Sequence, residues 1–136
     1  MAFEYPVTVR FQHCDPAGIV FYPRYFEMVN ACVEIWFEQR LGISFAVLHG
    51  QHRLGIPTVS IDSNFVKASR LEDRLTLHLK VNKLGNKSLH IDIDILADKD
   101  LRATFQLTLV LVELATITPV AWQDRPLLMA ALKQDL

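Results

Sequence analysis

The sequence predicts an α+β fold in which one long central helix is wrapped by a curved antiparallel sheet of about five strands. Three observations lead there. One stretch of helical period is apolar on nearly every side. Four stretches of period-two alternation follow it, and one precedes it. A helix that is hydrophobic almost all round must be covered on most of its circumference, which a sheet curved about it achieves.

Taken in order, Val7, Val9 and Phe11 alternate with Thr8, Arg10 and Gln12, a half-buried first strand over 7–11. The helix follows over 23–40. Pro23 suits its first turn, where the missing N–H costs nothing, and Gly42 suits the stop just beyond its end. Its polar residues Glu27, Asn30, Glu34 and Glu38 recur every three or four positions and so form one narrow stripe. Residues 41–55 read as a short helical turn plus loop. A strand over 58–66 carries Val59, Ile61 and Phe65 on one face. Three more strands run over 75–82, 89–95 and 105–111, each alternating apolar with polar residues. Gly85-Asn86 between two of them is expected as a two-residue hairpin turn, and 125–136 as a short amphipathic helix. The open edges of such a sheet call for a second copy, so a homodimer or homotetramer is expected.

At 136 residues the chain is expected to be a single domain, 1–136, and the 51% apolar fraction supplies a core without staples. Fourteen basic against fifteen acidic residues, net −1, exclude a whole-chain electrostatic attraction to nucleic acid or an anionic membrane. Cys14 and Cys32 have neither zinc-ligand spacing nor partners for a disulfide framework. They read as free thiols in a reducing, cytoplasmic compartment, with no metal site. The first residues lack the basic and apolar regions of a signal peptide, and nothing in the chain is expected to span a bilayer.

The chemistry concentrates between His13 and Pro23. Asp15 precedes Pro16 and is biased toward an extended conformation, while Gly18 permits a backbone that a side chain would block. The chain then enters a helix N-terminus, where unpaired N–H groups favour negative charge. A carboxylate beside an oxyanion site suits attack on an acyl carbonyl, with Asp15 as base or nucleophile. The plainer alternative is that Asp15 caps a turn that Gly18 shapes. On an extended chain His13 would share a side with Asp15, and Cys14 would face away. His49 and His52 read as solvated loop histidines, His78 and His90 as residues of polar strand faces, and Glu34 as a solvated or interface residue. Lys67 and Arg70, and more weakly Arg125, are candidates for binding phosphate.

The run Asp15-Pro16-Ala17-Gly18-Ile19-Val20-Phe21-Tyr22-Pro23-Arg24-Tyr25 resembles the signature of the 4-hydroxybenzoyl-CoA thioesterase family, hotdog-fold acyl-CoA hydrolases. The similarity continues at Pro57-Thr58-Val59-Ser60, at Phe65-Val66-Lys67-Ala68-Ser69, at Asp73 and at Asn86-Lys87-Ser88, so it covers about 9–112. It implies a hotdog fold and hydrolysis of a short-chain or aromatic acyl-CoA to free acid and CoA. No cofactor is implied, because CoA is part of the substrate. Asp15 matches the family's catalytic carboxylate, and Tyr22 the position whose backbone N–H binds the thioester carbonyl. Lys87, with Ser88 and Asn86, matches the segment that contacts the phosphates of CoA, although this chain has Gly85 and Asn86 where the family has more arginine. Asn30 stands where members acting on 4-hydroxybenzoyl-CoA place an aspartate near the ring hydroxyl, and an amide both donates and accepts. Gly18, Phe21 and Tyr25 complete the expected binding set. Three other readings stay open: a hotdog acyl-carrier-protein thioesterase, a dehydratase or hydratase using His13, and a non-catalytic acyl-CoA binder.

Overall fold

The computed structural model describes residues 2–136. In chain order the elements are β1 (Phe3–Thr8), α1 (Tyr22–Trp36), α2 (Phe45–Gly50), β2 (Leu54–Gly55), β3 (Thr58–Phe65), β4 (Arg74–Leu84), β5 (Ser88–Ala97), β6 (Asp100–Val110), β7 (Val112–Glu113), β8 (Thr118–Pro119) and α3 (Pro126–Asp135). Five strands form the main sheet, antiparallel throughout, in the order β1-β4-β5-β6-β3.

The period-two alternation sets the inner face of that sheet. Leu75, Leu77, Leu79 and Val81 are buried, as are Leu89, Ile91, Ile93 and Ile95, and Ala103, Phe105, Leu107 and Leu109. Against them α1 packs Tyr25, Met28, Val29, Cys32, Val33 and Trp36 in one continuous core. Each such side chain contributes about 1.5–3 kcal/mol when fully removed from water. Glu27, Asn30, Glu34 and Glu38 remain exposed, the polar stripe expected from their spacing.

Several boundaries differ from the sequence reading. The first strand is Phe3–Thr8 rather than 7–11, and Phe11 is 85% exposed in a 3₁₀ turn, Phe11–His13. That turn is closed by the His13 N–H on the Arg10 carbonyl at 2.9 Å and by the Arg10 N–H on His13 Nδ1 at 2.8 Å, contacts that periodicity does not encode. The long helix loosens into a π turn, Phe37–Leu41, before Gly42 stops it at φ +73°. The β4–β5 hairpin turns around Asn86 and Lys87, one residue beyond the expected pair, because the Gly85 N–H donates to the Ser88 carbonyl at 2.9 Å. A Cβ at Gly85 would run into the Ser88 hydroxyl, so glycine serves close approach there. Residues 41–55 form α2, whose N-cap Ser44 accepts the Val47 N–H at 3.2 Å, and then β2. With β7 and β8, β2 builds a small second sheet that two-residue strands gave no pattern to foresee.

The two edges of the main sheet are unlike. β1 carries Pro6, which removes an N–H from that edge. β3 is exposed along nearly all its length, including Val59 (61%), Ile61 and Phe65. At the far end of α1, Trp36 Nε1 donates to Asp135 Oδ2 at 2.7 Å and Arg40 Nη1 to Asp135 Oδ1 at 2.8 Å, which docks α3 on the helix. Replacing Asp135 by alanine is expected to lower the unfolding free energy by about 1–2 kcal/mol, read from the urea midpoint at unchanged slope.

Candidate active site

The segment rich in candidate residues is a tight hairpin. Cys14 and Val20 bridge its arms, the Asp15 N–H donates to the Ile19 carbonyl at 3.0 Å, and the Gly18 N–H returns to the Asp15 carbonyl at 2.9 Å. Pro16 occupies the second position of that turn, where its fixed φ fits, and Gly18 closes it at φ +81°, a conformation that disfavours any side chain. Asp15 Oδ1 accepts the Ala17 N–H at 2.9 Å, and Oδ2 has no protein partner among the described residues. The carboxylate thus both shapes the turn and keeps one oxygen for other work.

Two residues past the hairpin, α1 begins at Tyr22 with no side-chain cap. Phe21 is the N-cap residue, its own N–H goes to the His13 carbonyl at 2.9 Å, and Pro23 follows within the first turn. The Tyr22 N–H therefore opens the helix with no carbonyl of a preceding turn to receive it. Phe21 and Tyr22 are exposed and pack edge to face with ring centroids 5.5 Å apart. Tyr25, by contrast, is 4% exposed. Its ring stacks on Phe65 at 5.8 Å, and burial raises the affinity of its hydroxyl for the proton, with Ser69 beside it. It supports the aromatic cluster from below and offers a ligand little surface.

His13 does not lie beside Asp15 on an extended chain, because the 3₁₀ turn rotates it away. It faces a separate recess with Gln12, Arg24 and Glu27, and burial lowers its pKa, in keeping with an Nδ1 that accepts a hydrogen bond. Cys32 is fully buried and burial pushes its thiol up to about 12, so it is inert at neutral pH.

One loop pins the hairpin. The Val20 N–H donates to the Ser69 carbonyl at 2.9 Å, and Ile19 bridges Arg70. That loop is held in turn by Arg102 of β6, whose Nη1 donates to the Ala68 carbonyl (3.0 Å), Ser69 Oγ (3.1 Å) and Asp73 Oδ2 (2.8 Å), and whose Nε donates to Asp100 Oδ2 (2.9 Å). Lys67 joins the cluster through Asp100 at 3.1 Å. Arg102 was not among the sequence candidates. Its one signal is an arginine at a polar position of a strand with Asp98 and Asp100 just before it.

The candidate cations fall at opposite ends of the sheet. Lys67 and Arg70 lie at the Asp15 end. Lys87, with Asn86 and Ser88, lies at the β4–β5 hairpin, where Trp122 takes the Asn86 carbonyl at 3.0 Å through its N–H and the Ser88 carbonyl at 3.1 Å through Nε1. Arg125 follows Trp122 at that same end. Eleven residues of β4 separate the two ends, roughly 33 Å of strand. Asn30 belongs to neither group. It lines an apolar cavity of about 460 Å³ between α1, β3, β6, α2 and the small sheet. Glu34 does not line it. Among the described residues no group of three His, Cys, Asp or Glu is placed to hold a metal, and no helix is long and apolar enough to cross a membrane.

A family model described as the thioesterase-like superfamily matches residues 9–132. Among solved structures, a 1,4-dihydroxy-2-naphthoyl-CoA thioesterase from Synechocystis is similar with a TM-score of 0.81 at 21% identity, over 90% of this chain and 93% of that chain. A DHNA-CoA thioesterase from Staphylococcus aureus reaches 0.88 at 18% identity, over 98% and 89%. Another Staphylococcus aureus protein, solved in complex with CoA, reaches 0.88 at 15% identity, over 98% and 83%. At these identities the likeness is one of fold. No curated protein matches the sequence.

The Arg102 cluster sets how the fold responds to acid. The Arg70 N–H and then Arg102 hold Asp73 below its ordinary pKa, while Lys67 and then Arg102 do the same for Asp100. Carboxyls depressed in the folded state stabilise it above the ordinary carboxylate range, and that stability is lost as pH falls through their folded values. Arg102→Ala is expected to cost about 1–2 kcal/mol at neutral pH through its bonds to Ala68, Ser69 and Asp73. It should also flatten the loss of stability between about pH 5 and pH 2, measured as urea midpoints along a pH series.

Proposed function

The chain belongs to the thioesterase-like superfamily, and on that premise we propose that it hydrolyses an acyl-CoA thioester, with Asp15 as the catalytic carboxylate. The observation that carries the reading is the 14–20 hairpin, which holds a carboxylate with one unpaired oxygen and ends two residues before an uncapped helix N-terminus. In this proposal the thioester carbonyl oxygen accepts the Tyr22 N–H, whose dipolar setting favours the negative charge that develops there. Asp15 Oδ2 then either takes a proton from the attacking water or attacks the carbonyl carbon itself. The second route forms a mixed anhydride, which water opens in a later step. Either way the carbon–sulfur bond breaks and CoA leaves as the thiolate, and both routes need an ionised Asp15.

The acyl group would enter the apolar cavity that Asn30 lines, whose volume of about 460 Å³ suits a short branched or benzoyl-type group. The curved wrapping of the helix that the hotdog fold implies, a single domain over 1–136 and a cytoplasmic setting belong to the same reading. So does the second copy. In one protomer Lys67 and Arg70 stand at the opposite end of the sheet from Lys87, and they do not reach one nucleotide together. Antiparallel pairing of two β3 edges would lay the β4–β5 hairpin of the second copy, with its Lys87, toward the Asp15 end of the first, which supports a site shared between subunits. β3 is the free edge for this, since β1 carries Pro6.

Asp15→Asn is expected to reduce thiol release from acyl-CoA about a thousandfold or more at unchanged thermal stability. Retention of most of the activity would remove Asp15 from the chemistry. Single turnover in heavy-oxygen water tests the nucleophilic route: direct attack with water then opening the anhydride at the Asp15 carboxyl carbon leaves the first-turnover acid unlabelled and one label in Asp15, whereas a general base places one label in the acid and none in the protein. Tight binding of aromatic, short-chain and long-chain acyl-CoAs without thiol release from any of them would favour a non-catalytic binder instead. A charge on the β3 edge, Val59→Lys, should convert a dimer to monomers by light scattering, and dimers persisting in that variant would place the interface elsewhere.

A further inference from the structure

His13 joins the two halves of the site. Its imidazole Nδ1 accepts the Arg10 N–H at 2.8 Å, and its own N–H donates to the Arg10 carbonyl at 2.9 Å. Its carbonyl accepts the N–H of Phe21, the N-cap residue of α1, at 2.9 Å. That last bond lies just outside the Cys14–Val20 bridge, at the base of the hairpin that carries Asp15. Asp15 leaves the junction two residues along one arm, and Tyr22 follows Phe21 directly on the other. The junction hangs from the 68–73 loop through Val9, whose N–H donates to the Asp73 carbonyl at 2.8 Å and whose carbonyl accepts the Glu72 N–H at 2.9 Å. The ring does not touch the acyl cavity. It is half-buried in a recess with Arg24, Glu27, Met28 and Ala31, one face of α1, whereas the cavity takes Phe26, Val29, Asn30 and Val33 from another. Whatever the imidazole does for the reaction, it does through the backbone.

We propose that His13 is a positioning residue: its unprotonated imidazole, by accepting the Arg10 N–H, fixes the carbonyl that sets the Asp15 carboxylate relative to the Tyr22 N–H. The inference rests on the preceding reading of Asp15 and the Tyr22 N–H as the groups that meet the thioester. A neutral ring that accepts at Nδ1 carries its proton on Nε2. Protonation puts a second hydrogen on Nδ1, directed at the Arg10 N–H, and the bond is lost. The charged and titratable groups around the ring are Arg10 on its own turn, Tyr5 from β1, and Arg24 and Glu27 from α1. Burial lowers the imidazole pKa; Glu27 opposes the shift, and Arg24 and Arg10 add to it. Because the folded value is below the ordinary one, the bond is present at neutral pH and is lost as pH falls through the folded value. Misplacement of a reacting group by about 1 Å is enough to slow a reaction up to a hundredfold, so a loosened junction is felt in kcat.

The test follows benzoyl-CoA hydrolysis against pH in wild type, His13→Leu and His13→Asn. Asparagine places Oδ1 where Nδ1 stands and accepts without titrating. His13→Leu should lower kcat about tenfold at neutral pH and change KM less than twofold. His13→Asn should stay within about twofold of wild type in kcat and lack the part of the acid limb that follows the wild-type His13 ring. An asparagine variant as slow as the leucine one, an unchanged acid limb, or a leucine variant as fast as wild type would overturn the role. NMR supplies a readout that needs neither turnover nor a variant. The ¹⁵N shifts of the His13 ring should show a bare Nδ1 and a protonated Nε2 at neutral pH, and the Arg10, Phe21 and Tyr22 amide signals should titrate with the ring. If they do so in a protein that hydrolyses no thioester, the coupling stands and hydrolysis alone is the part that fails. A ring protonated on Nδ1 at neutral pH, or Phe21 and Tyr22 amides that stay still while the ring titrates, would overturn the inference and leave the hydrolase reading standing.

Discussion

The guanidinium of Arg102 is the contact on which the geometry of the Asp15 hairpin depends. The 68–73 segment has no strand ladder of its own, and Glu72 within it sits at φ +71°, a conformation costly for a side-chain-bearing residue. Arg102 takes a carbonyl, a hydroxyl and a carboxylate of that segment at once, and the Glu72 N–H and Asp73 carbonyl close it onto the two backbone groups of Val9. Only a loop so fixed offers Ser69 and Arg70 as a rigid partner for Val20 and Ile19. The hairpin has a firm tip because its base is anchored to the sheet through one largely buried side chain.

Much of this was legible in the residues. The three long inner strands follow from alternation because burial of one face leaves a strict period of two, and a register slip would expose every buried side chain. Pro23 and Gly42 mark the helical segment because their backbone geometry admits few other places. The turn at Asp15-Pro16-Ala17-Gly18 is likewise written in residue types that each suit one turn position. What escaped was set by contacts between distant segments. Phe11 continues an apolar alternation, yet a three-residue turn held by His13 turns it to solvent. The alternation of Phe3, Tyr5 and Val7 is masked by Pro6. Arg102 looks like any polar residue on the outer face of a strand until the 68–73 loop folds over it. His49 looked like a loop residue because a six-residue helix has too few turns to show a period.

The candidate site was legible in its parts but not in its arrangement. Asp15, Gly18, Phe21 and Tyr22 lie together because they are neighbours in sequence. Lys67 and Arg70 join them through strand pairing, whereas Asn86, Lys87 and Ser88 end at the opposite end of the sheet because antiparallel strands return the chain there. A linear reading has no measure of that separation. Tyr25 illustrates the same limit at shorter range: one helical turn on from Phe21, it faces the core instead of the surface.

The unlike edges of the main sheet also bear on how far assembly proceeds. A strand edge that accepts one neighbour ordinarily accepts the next, which is how sheets grow into ribbons and fibrils. Here a pair joined through β3 would present β1 at both outer margins, each interrupted by Pro6 beside the charged Glu4. Under the proposed pairing through β3, the sheet would double once, and its new margins would be poor templates for a further strand.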